Sequence, residues 1–403
     1  MPLRAAGFRH SRPRTGAWPA SRAHAGSQGR SLSQSGDVTI ASEIWKHAPL
    51  LSILSVTVAS VTVASHATPF GGDGFPLWTL GPVPHGPPRR DFADGEWFVQ
   101  YTDPETRVAR AFDRLWSNAD GILDDFESMW RRVARAAAGR PGIAGFEVIN
   151  EPGWGSMPLS DFEEGVLPRL LERLGAAIRA EVPDAVIFGG GTGADGLMGS
   201  TFMRNPALEG FVYAPHYYDL EVGTGGGYRD REKVRADLER LAGIGAAWGR
   251  PVLFGEFGAA NRGRDQRRWI RDVYDTLDRL CAHATLWEVS FAADAWNHED
   301  FGVTDPDGAE RPVVEELVRP YPRAIDGTLD RFNWDVDART FEVDVSRAGH
   351  DISEVYAPPR HLGAAPRIEI SGGVTTWEAA SGVILVRAEA ERWRLVVRAG
   401  VAP

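Results

Sequence analysis

The chain has 403 residues, 43% hydrophobic and 25% charged, an ordinary globular composition that excludes a collagen-like, coiled-coil or wholly disordered protein. Lys and Arg number 44 against 55 Asp and Glu, a formal charge of −11, so the chain is a poor match for a phosphate backbone and no nucleic acid is expected as partner. The single cysteine, Cys281, excludes an internal disulfide and a cysteine-based metal site, and its apolar setting reads as a small buried hydrophobe.

Residues 1–46 carry six Arg and Lys46 against Asp37 and Glu43, and show no sustained apolar period. Such a segment has too little apolar surface to offset the entropy of ordering and is expected to be disordered. The run 49–67 is apolar but laced with Ser and Thr, and contains the tandem Ser55–Ala59 and Ser60–Ala64, each SVTVA. A five-residue period puts Val56 and Val58 on one strand face and Val61 and Val63 on the other, which no half-buried strand wants. Residues 1–69 are therefore expected to be disordered or aberrant. The competing reading is a signal-like run ending at Ala67, which would make the protein secreted. A membrane helix is disfavoured by the six Ser/Thr between Ser52 and Ser65.

Beyond a Gly/Pro-dense loop at 71–88 the pattern becomes regular. Helices are predicted at Pro104–Trp116, with Asp103-Pro104 as cap and first turn, and at Leu123–Ala138, stopped by Gly139. Short apolar runs then alternate with amphipathic helices. The runs are Ile143–Asn150, Ala185–Gly190, Phe211–His216, Val252–Phe257 and Thr285–Phe291; the helices are Asp161–Glu181, Arg229–Trp248 and Asp265–His283. This alternation predicts βαβ units around a parallel sheet, an α/β fold of the (β/α)8 TIM barrel type over 70–320, with its early strands missing or aberrant. After Pro320 come short alternating strands at Thr340–Val345, Glu354–Ala357, Arg367–Ile370, Val374–Glu378, Val383–Ala388 and Arg392–Val397. With no helix between them they predict a small antiparallel β-sandwich over 321–403.

Two strands end in a carboxylate. Ile143–Asn150 runs into Glu151-Pro152-Gly153, and Val252–Gly255 into Glu256-Phe257-Gly258. A strand that delivers a carboxylate and then breaks into Pro or Gly places it at the C-terminal mouth of a barrel. One such Glu alone would be read as a strand-end partner for an Arg. Two on different strands can face each other about 5 Å apart, the separation used in retaining glycoside hydrolysis. Asn150 precedes the first, and His216 and Tyr218 close a third strand. Trp287 on the last strand offers a flat face for a sugar ring. Glu147 shares strand parity with Glu151 and reads as a structural polar residue with an Arg partner. Gly189–Gly193 lacks the Lys-Ser/Thr of a phosphate loop and reads as a sharp strand-to-helix turn. The Arg262–Arg271 cluster reads as a solvated helix face.

As a set, Asn150-Glu151-Pro152, His216-x-Tyr218, Gly255-Glu256-Phe257-Gly258 and Trp287 resemble the barrel of glycoside hydrolase family 5, and within it the endoglycoceramidases. Phe70–Trp78 is similar to that group's glycine-rich loop, Ala111–Gly121 to the helix and turn after it, and the tail from Arg319 through Pro358 to its C-terminal sandwich. The resemblance implies Glu151 as acid/base and Glu256 as nucleophile. Asn150 would bind the sugar 2-hydroxyl, Tyr218 would hold the nucleophile, and His216 and Trp287 would shape the sugar site. It implies no metal and no cofactor, and hydrolysis of the bond between oligosaccharide and ceramide by a secreted enzyme. The family's early-strand Arg and its His-Gln-Asp motif have no counterpart in residues 1–69, so strands four to eight are the ones expected.

The expected partner is a glycosphingolipid or other β-glycan, with peripheral contact to a lipid surface and a monomeric state. The alternatives are a family 5 β-glucanase or glucosylceramidase, and a catalytically impaired barrel that binds glycan or glycolipid.

Overall fold

The computed structural model describes residues 54–57, 75, 77–81, 103–140, 143–223, 225–289 and 300–400, and for 54–57 the backbone. Six strand positions form a parallel wall. Strand β1 (Leu54–Thr57) pairs with β2 (Ile143–Glu147), which pairs with β3 (Ile187–Gly189) and then β4 (Phe211–Tyr213). Beyond it β5 (His216–Tyr217) pairs with β6 (Leu253–Phe257) and β6 with β7 (His283–Leu286). The sequence offered no strand at residues 54–57, yet that piece of the first tandem takes the place beside β2. The rest of residues 1–69, including the signal-like run's end at Ala67, lies outside the described residues.

β4 and β5 are one predicted strand broken at Ala214-Pro215. Proline has no N–H to donate to a ladder. The chain bends there, with Ala214 N donating to Gly189 O at 2.8 Å on one side and Gly255 N donating to Pro215 O at 2.9 Å on the other. The bend moves the pairing from β3 to β6 and sets His216 in register with Glu256.

The helices follow their expected positions with shifted ends. Helix α1 is Arg107–Trp116, capped by Thr106, whose hydroxyl accepts from Ala109 N at 3.1 Å. Asp103 instead closes the turn before it, accepting from Glu105 N. Helix α2 is Ile122–Ala137, and Gly139 at φ +69° ends it as expected. The predicted Asp161–Glu181 helix contains a π-turn at Phe162–Val166 before α3 (Leu167–Arg179). Helix α4 (Gly193–Met198) follows the glycine run, which is the strand-to-helix turn expected there. Helices α5 (Arg231–Trp248) and α6 (Gln266–Leu280) back β4 to β7. Two apolar cores result: one around Trp130, Phe146, Leu174 and Phe211 behind β2–β4, the other around Tyr217, Phe254, Phe257 and Trp269 behind β5–β7. Both tryptophans are fully buried. No helix of the described residues is long and apolar enough to cross a membrane.

The C-terminal part is a sandwich of two four-stranded antiparallel sheets. One has the order β12 (Arg367–Ser371), β15 (Arg392–Arg398), β10 (Thr340–Ser346), β9 (Thr328–Asp335); the other β13 (Gly373–Glu378), β14 (Val383–Ala388), β11 (Ile352–Tyr356), β8 (Tyr321–Ala324). Phe341, Val343 and Val345 point inward at alternate positions, the period of a half-buried strand. Strands β8 and β9 had no sequence counterpart; in β9 inward Phe332 and Trp334 are embedded among Asp, Arg and Asn. The sandwich packs on α6. Half-buried Cys281 meets the sandwich core, and buried Arg319 reaches Asp275 and Asp278 at 3.0 and 2.7 Å. Arg267 and Arg271, expected in solvent, clamp the 2%-exposed Glu316 at 2.7 and 2.9 Å.

Candidate active site

The mouth of the parallel wall gathers its chemistry from the ends of β2, β5 and β6. After β2 the chain turns sharply at Glu151, whose φ of +37° lies in the left-handed region that non-glycine residues rarely adopt. Such a conformation costs about 1–3 kcal/mol and persists only where neighbours over-determine it. Those neighbours are identifiable: Trp130 Nε1 donates to Val148 O at 3.1 Å, Trp116 Nε1 to Gly153 O at 2.9 Å, and Ser156 N to Asp113 Oδ1 at 2.8 Å. Helices α1 and α2 thus hold both sides of the Asn150–Pro152 turn.

Glu151 and Glu256 come together, as their strand-end positions predict. The site is held by protons. His216 Nδ1 lies 2.8 Å from Glu151 Oε1 and 3.5 Å from Glu256 Oε2, and the Tyr218 hydroxyl donates to Glu256 Oε2 at 2.8 Å. Each of Glu151, His216 and Glu256 presents an atom within 4.8 Å of the other two. A cation bridging them would have to displace the His216 and Tyr218 hydrogen bonds, so this donor set suits proton transfer. Glycine makes the room. A Cβ on Gly193 would lie 3.1 Å from Glu151 Oε2, and one on Gly255 would lie 3.2 Å from the His216 ring.

The two carboxylates keep a small exposed edge, 19% and 16% of the side chain, whereas His216 is buried. Burial raises the Glu256 carboxyl to about 7; the Glu151 and Glu147 charges push the same way, and His216 and the Tyr218 hydrogen bond pull against them. Burial also opposes charge on His216. Glu256, Glu147 and Glu151 outweigh it and hold the imidazolium well above the ordinary histidine range.

Asn150 flanks the pair with its Oδ1 buried and without a protein donor among the described residues. Trp287 follows β7, its backbone N–H donating to Phe257 O at 2.9 Å. Two residues that sequence reasoning did not assign to the site also line it. Phe301 stacks on Tyr218 with ring centroids 6.1 Å apart, and no periodicity marks it, because it arrives from a loop. Glu147, read as a structural residue, turns its carboxylate to His216 Nε2 at 3.9 Å; its parity with Glu151 was the available signal.

Fold and site together describe a two-domain protein of the barrel-plus-sandwich glycoside hydrolase kind. Two family models match: Cellulase (glycosyl hydrolase family 5) over residues 96–293, and the glycoside hydrolase family 5 C-terminal domain over residues 319–397. The chain belongs to glycoside hydrolase family 5, carrying both of these domains. It is 25% identical over 342 residues to Endoglycoceramidase I of Rhodococcus hoagii (strain 103S), covering 79% of this chain and 65% of that protein. Thus it spans just under two thirds of the length of that curated relative. Among solved structures it resembles endo-glycoceramidase II from Rhodococcus sp. in a cellobiose-like imidazole complex, with TM-score 0.68 and 22% identity, covering 82% of this chain and 75% of that one. The ganglioside GM3 complex of the same protein gives TM-score 0.67 at 22% identity, over 82% of this chain and 74% of that one. With the C-terminal domain model over residues 319–397, these likenesses establish the barrel-plus-sandwich fold.

Proposed function

We propose that the chain is a retaining endo-β-glycosidase that cleaves the bond between the oligosaccharide and the ceramide of a glycosphingolipid. The observation that carries this reading is the Glu151–Glu256 separation, within 4.8 Å between facing atoms. That is the short spacing of direct nucleophilic attack, and an inverting site needs about 6.5–9.5 Å to admit a water. The named activity of the Rhodococcus relatives supports the substrate class.

Glu256 attacks the anomeric carbon with Oε1, since Oε2 already accepts from Tyr218. The bond to the leaving oxygen breaks as Glu151 gives that oxygen its proton. A glycosyl ester on Glu256 results. Water then attacks the same carbon, passes a proton to Glu151, and Glu256 departs as carboxylate. The orphaned Asn150 Oδ1 suits a sugar hydroxyl donor, and Trp287 suits the ring face. For the lipid end, Leu220 beyond β5 and Val289 beyond β7 are 61% and 73% exposed, an apolar approach at the mouth. A monomeric, secreted protein completes the proposal; intact-mass analysis of exported protein tests the cleavage after Ala67.

The function itself is tested by mass spectrometry after incubation with a ganglioside in detergent, beside a Glu256→Gln control. Intact oligosaccharide and free ceramide, absent from the control, are the expected products. A folded protein that releases neither, but hydrolyses a β-glucan or glucosylceramide, replaces the substrate class. One that binds glycolipid and hydrolyses nothing leaves a binding barrel.

A further inference from the structure

We propose that Glu147 is a positioning residue of this site, anchoring the Nε2 side of His216 from inside the barrel so that the ring keeps its Nδ1–H between Glu151 and Glu256. The inference rests on the glycosidase reading above and deepens it.

Glu147 ends β2 and Glu151 stands at the turn that follows it, and the two carboxylates face opposite nitrogens of one ring. Between them sits His216 from β5. Its Nδ1 faces upward to Glu151 at 2.8 Å and Glu256 at 3.5 Å, and its Nε2 faces Glu147 at 3.9 Å. Glu147 is only 7% exposed on its side chain and His216 6%, so water does little to screen them. These three carboxylates and the Tyr218 hydroxyl on Glu256 are the titratable groups that face the ring and its partners among the described residues.

A histidine ring has two nearly equivalent settings about χ2, which exchange its nitrogens with its carbons. A carboxylate on the Nε2 side rejects the flipped ring, which would face it with carbon. It also rejects the neutral form whose Nε2 lone pair would point at its charge. The other neutral form would turn its Nδ1 lone pair toward the Glu256 carboxylate at 3.5 Å, so what remains is the doubly protonated ring with Nδ1–H aimed at the catalytic pair.

That fixed cation fits the charge movement of the reaction. Before attack, the negative charge is on Glu256 and the transferable proton on Glu151. After glycosylation Glu256 is a neutral ester and the charge is on Glu151. The Nδ1–H stands within reach of both oxygens, so the counter-charge serves both states without moving. Glu147 touches no substrate atom in this scheme and acts through His216.

The experiment compares wild type, Glu147→Gln and Glu147→Asp. Ring protonation is followed by long-range 1H–15N NMR of histidine-labelled protein, with the His216 signal assigned from its loss in His216→Gln. In Glu147→Gln the His216 imidazolium is expected to lose its proton at lower pH. Its kcat should fall about tenfold with KM little changed, and its rate should decline earlier on the alkaline side, as expected for a lost charge-assisted contact. Glu147→Asp keeps the charge and should recover part of both readouts. A folded Glu147→Gln with the wild-type His216 titration and pH profile overturns the proposal, as does one that loses only thermal stability. The NMR titration needs no turnover, so an inactive wild type would sink the glycosidase reading while the His216 signals still judged the role of Glu147.

Discussion

Two carboxylate pairs lie on either side of the short helix α4, and they answer the same like-charge problem differently. At the mouth, Glu151 touches Gly193 at the start of that helix and pairs with Glu256. Behind it, Asp195 on the same helix faces Glu163 from the π-turn, and both are sealed, 1% and 0% exposed. Glu163 takes the available donors: Thr192 N and Oγ1, Thr201 Oγ1 and Phe202 N, at 2.9–3.3 Å. Asp195 is left to keep a proton, its carboxyl raised to about 9 by burial and by the Glu163 charge. The mouth pair has an imidazolium between its members and an open edge, so its proton can leave and return. The inner pair is sealed from solvent, and its proton stays on Asp195 across the neutral range. The first arrangement supports chemistry, and the second ties the π-turn to the glycine loop on which Glu151 rests.

The largest effects should come from breaking the mouth pair. Glu256→Ala and Glu151→Ala are each expected to lower kcat about 10⁴-fold, in line with the loss of a covalent nucleophile or its proton donor. Azide separates their roles. With Glu256→Ala it can enter only from the face the nucleophile occupied, giving a glycosyl azide of inverted anomeric configuration. With Glu151→Ala, on a substrate with a good leaving group, it intercepts the glycosyl–Glu256 ester and gives the retained anomer. Product NMR reads the configuration, and exchanged outcomes would reverse the assignments.

A smaller effect tests how the pair is tuned. Glu256 must be ionised to attack, so kcat/KM should rise with pH through about 7, where its carboxyl titrates in the free protein. Tyr218 donates to the ionised form and holds that value down. Tyr218→Phe should therefore move the acid limb to higher pH and lower kcat/KM at pH 6 about tenfold, the scale of one hydrogen bond to a charged group. An unmoved limb would assign it to another group.

How much of this was legible depended on distance along the chain. Glu151 and Glu256 announced themselves locally, each ending an apolar strand and followed by Pro or Gly within two residues. The alternation of strands and helices carried the barrel, and the period-two runs carried six of the eight sandwich strands. What escaped was non-local. Arg267 and Arg271 look like a solvated face until Glu316, more than 40 residues on, folds against them. Asp195 reads as a polar residue in a turn, because its partner Glu163 precedes it by a whole helix and strand. His216 was marked by its place at a strand end beside Tyr218, whereas its register with Glu256 follows from the bend at Pro215. Strand β1 escaped because pairing with β2 is a tertiary choice that a five-residue tandem does not encode.

The inner pair yields the smallest effect and a sharp sign. An ordinary aspartate loses its proton near pH 3.8, whereas Asp195 in the folded chain keeps it to about 9. Between those values the folded state binds a proton that the unfolded state has released, so stability must fall as pH rises across the window. Asp195→Asn has nearly the same shape, carries no proton to lose and offers its amide N–H to Glu163. Its melting temperature should exceed that of wild type at pH 8, on the order of 5 °C, and the two should converge toward pH 4. Turnover near neutral pH should change little, because Asp195 touches neither Glu151 nor Glu256. If the melting temperature instead drops equally at pH 5 and pH 8, Asp195 is ionised and bonded like Glu163, and the contrast between the two pairs disappears. A gain that grows from pH 4 to pH 8 would locate that proton uptake in the buried pair, one helix away from the proton that catalysis uses.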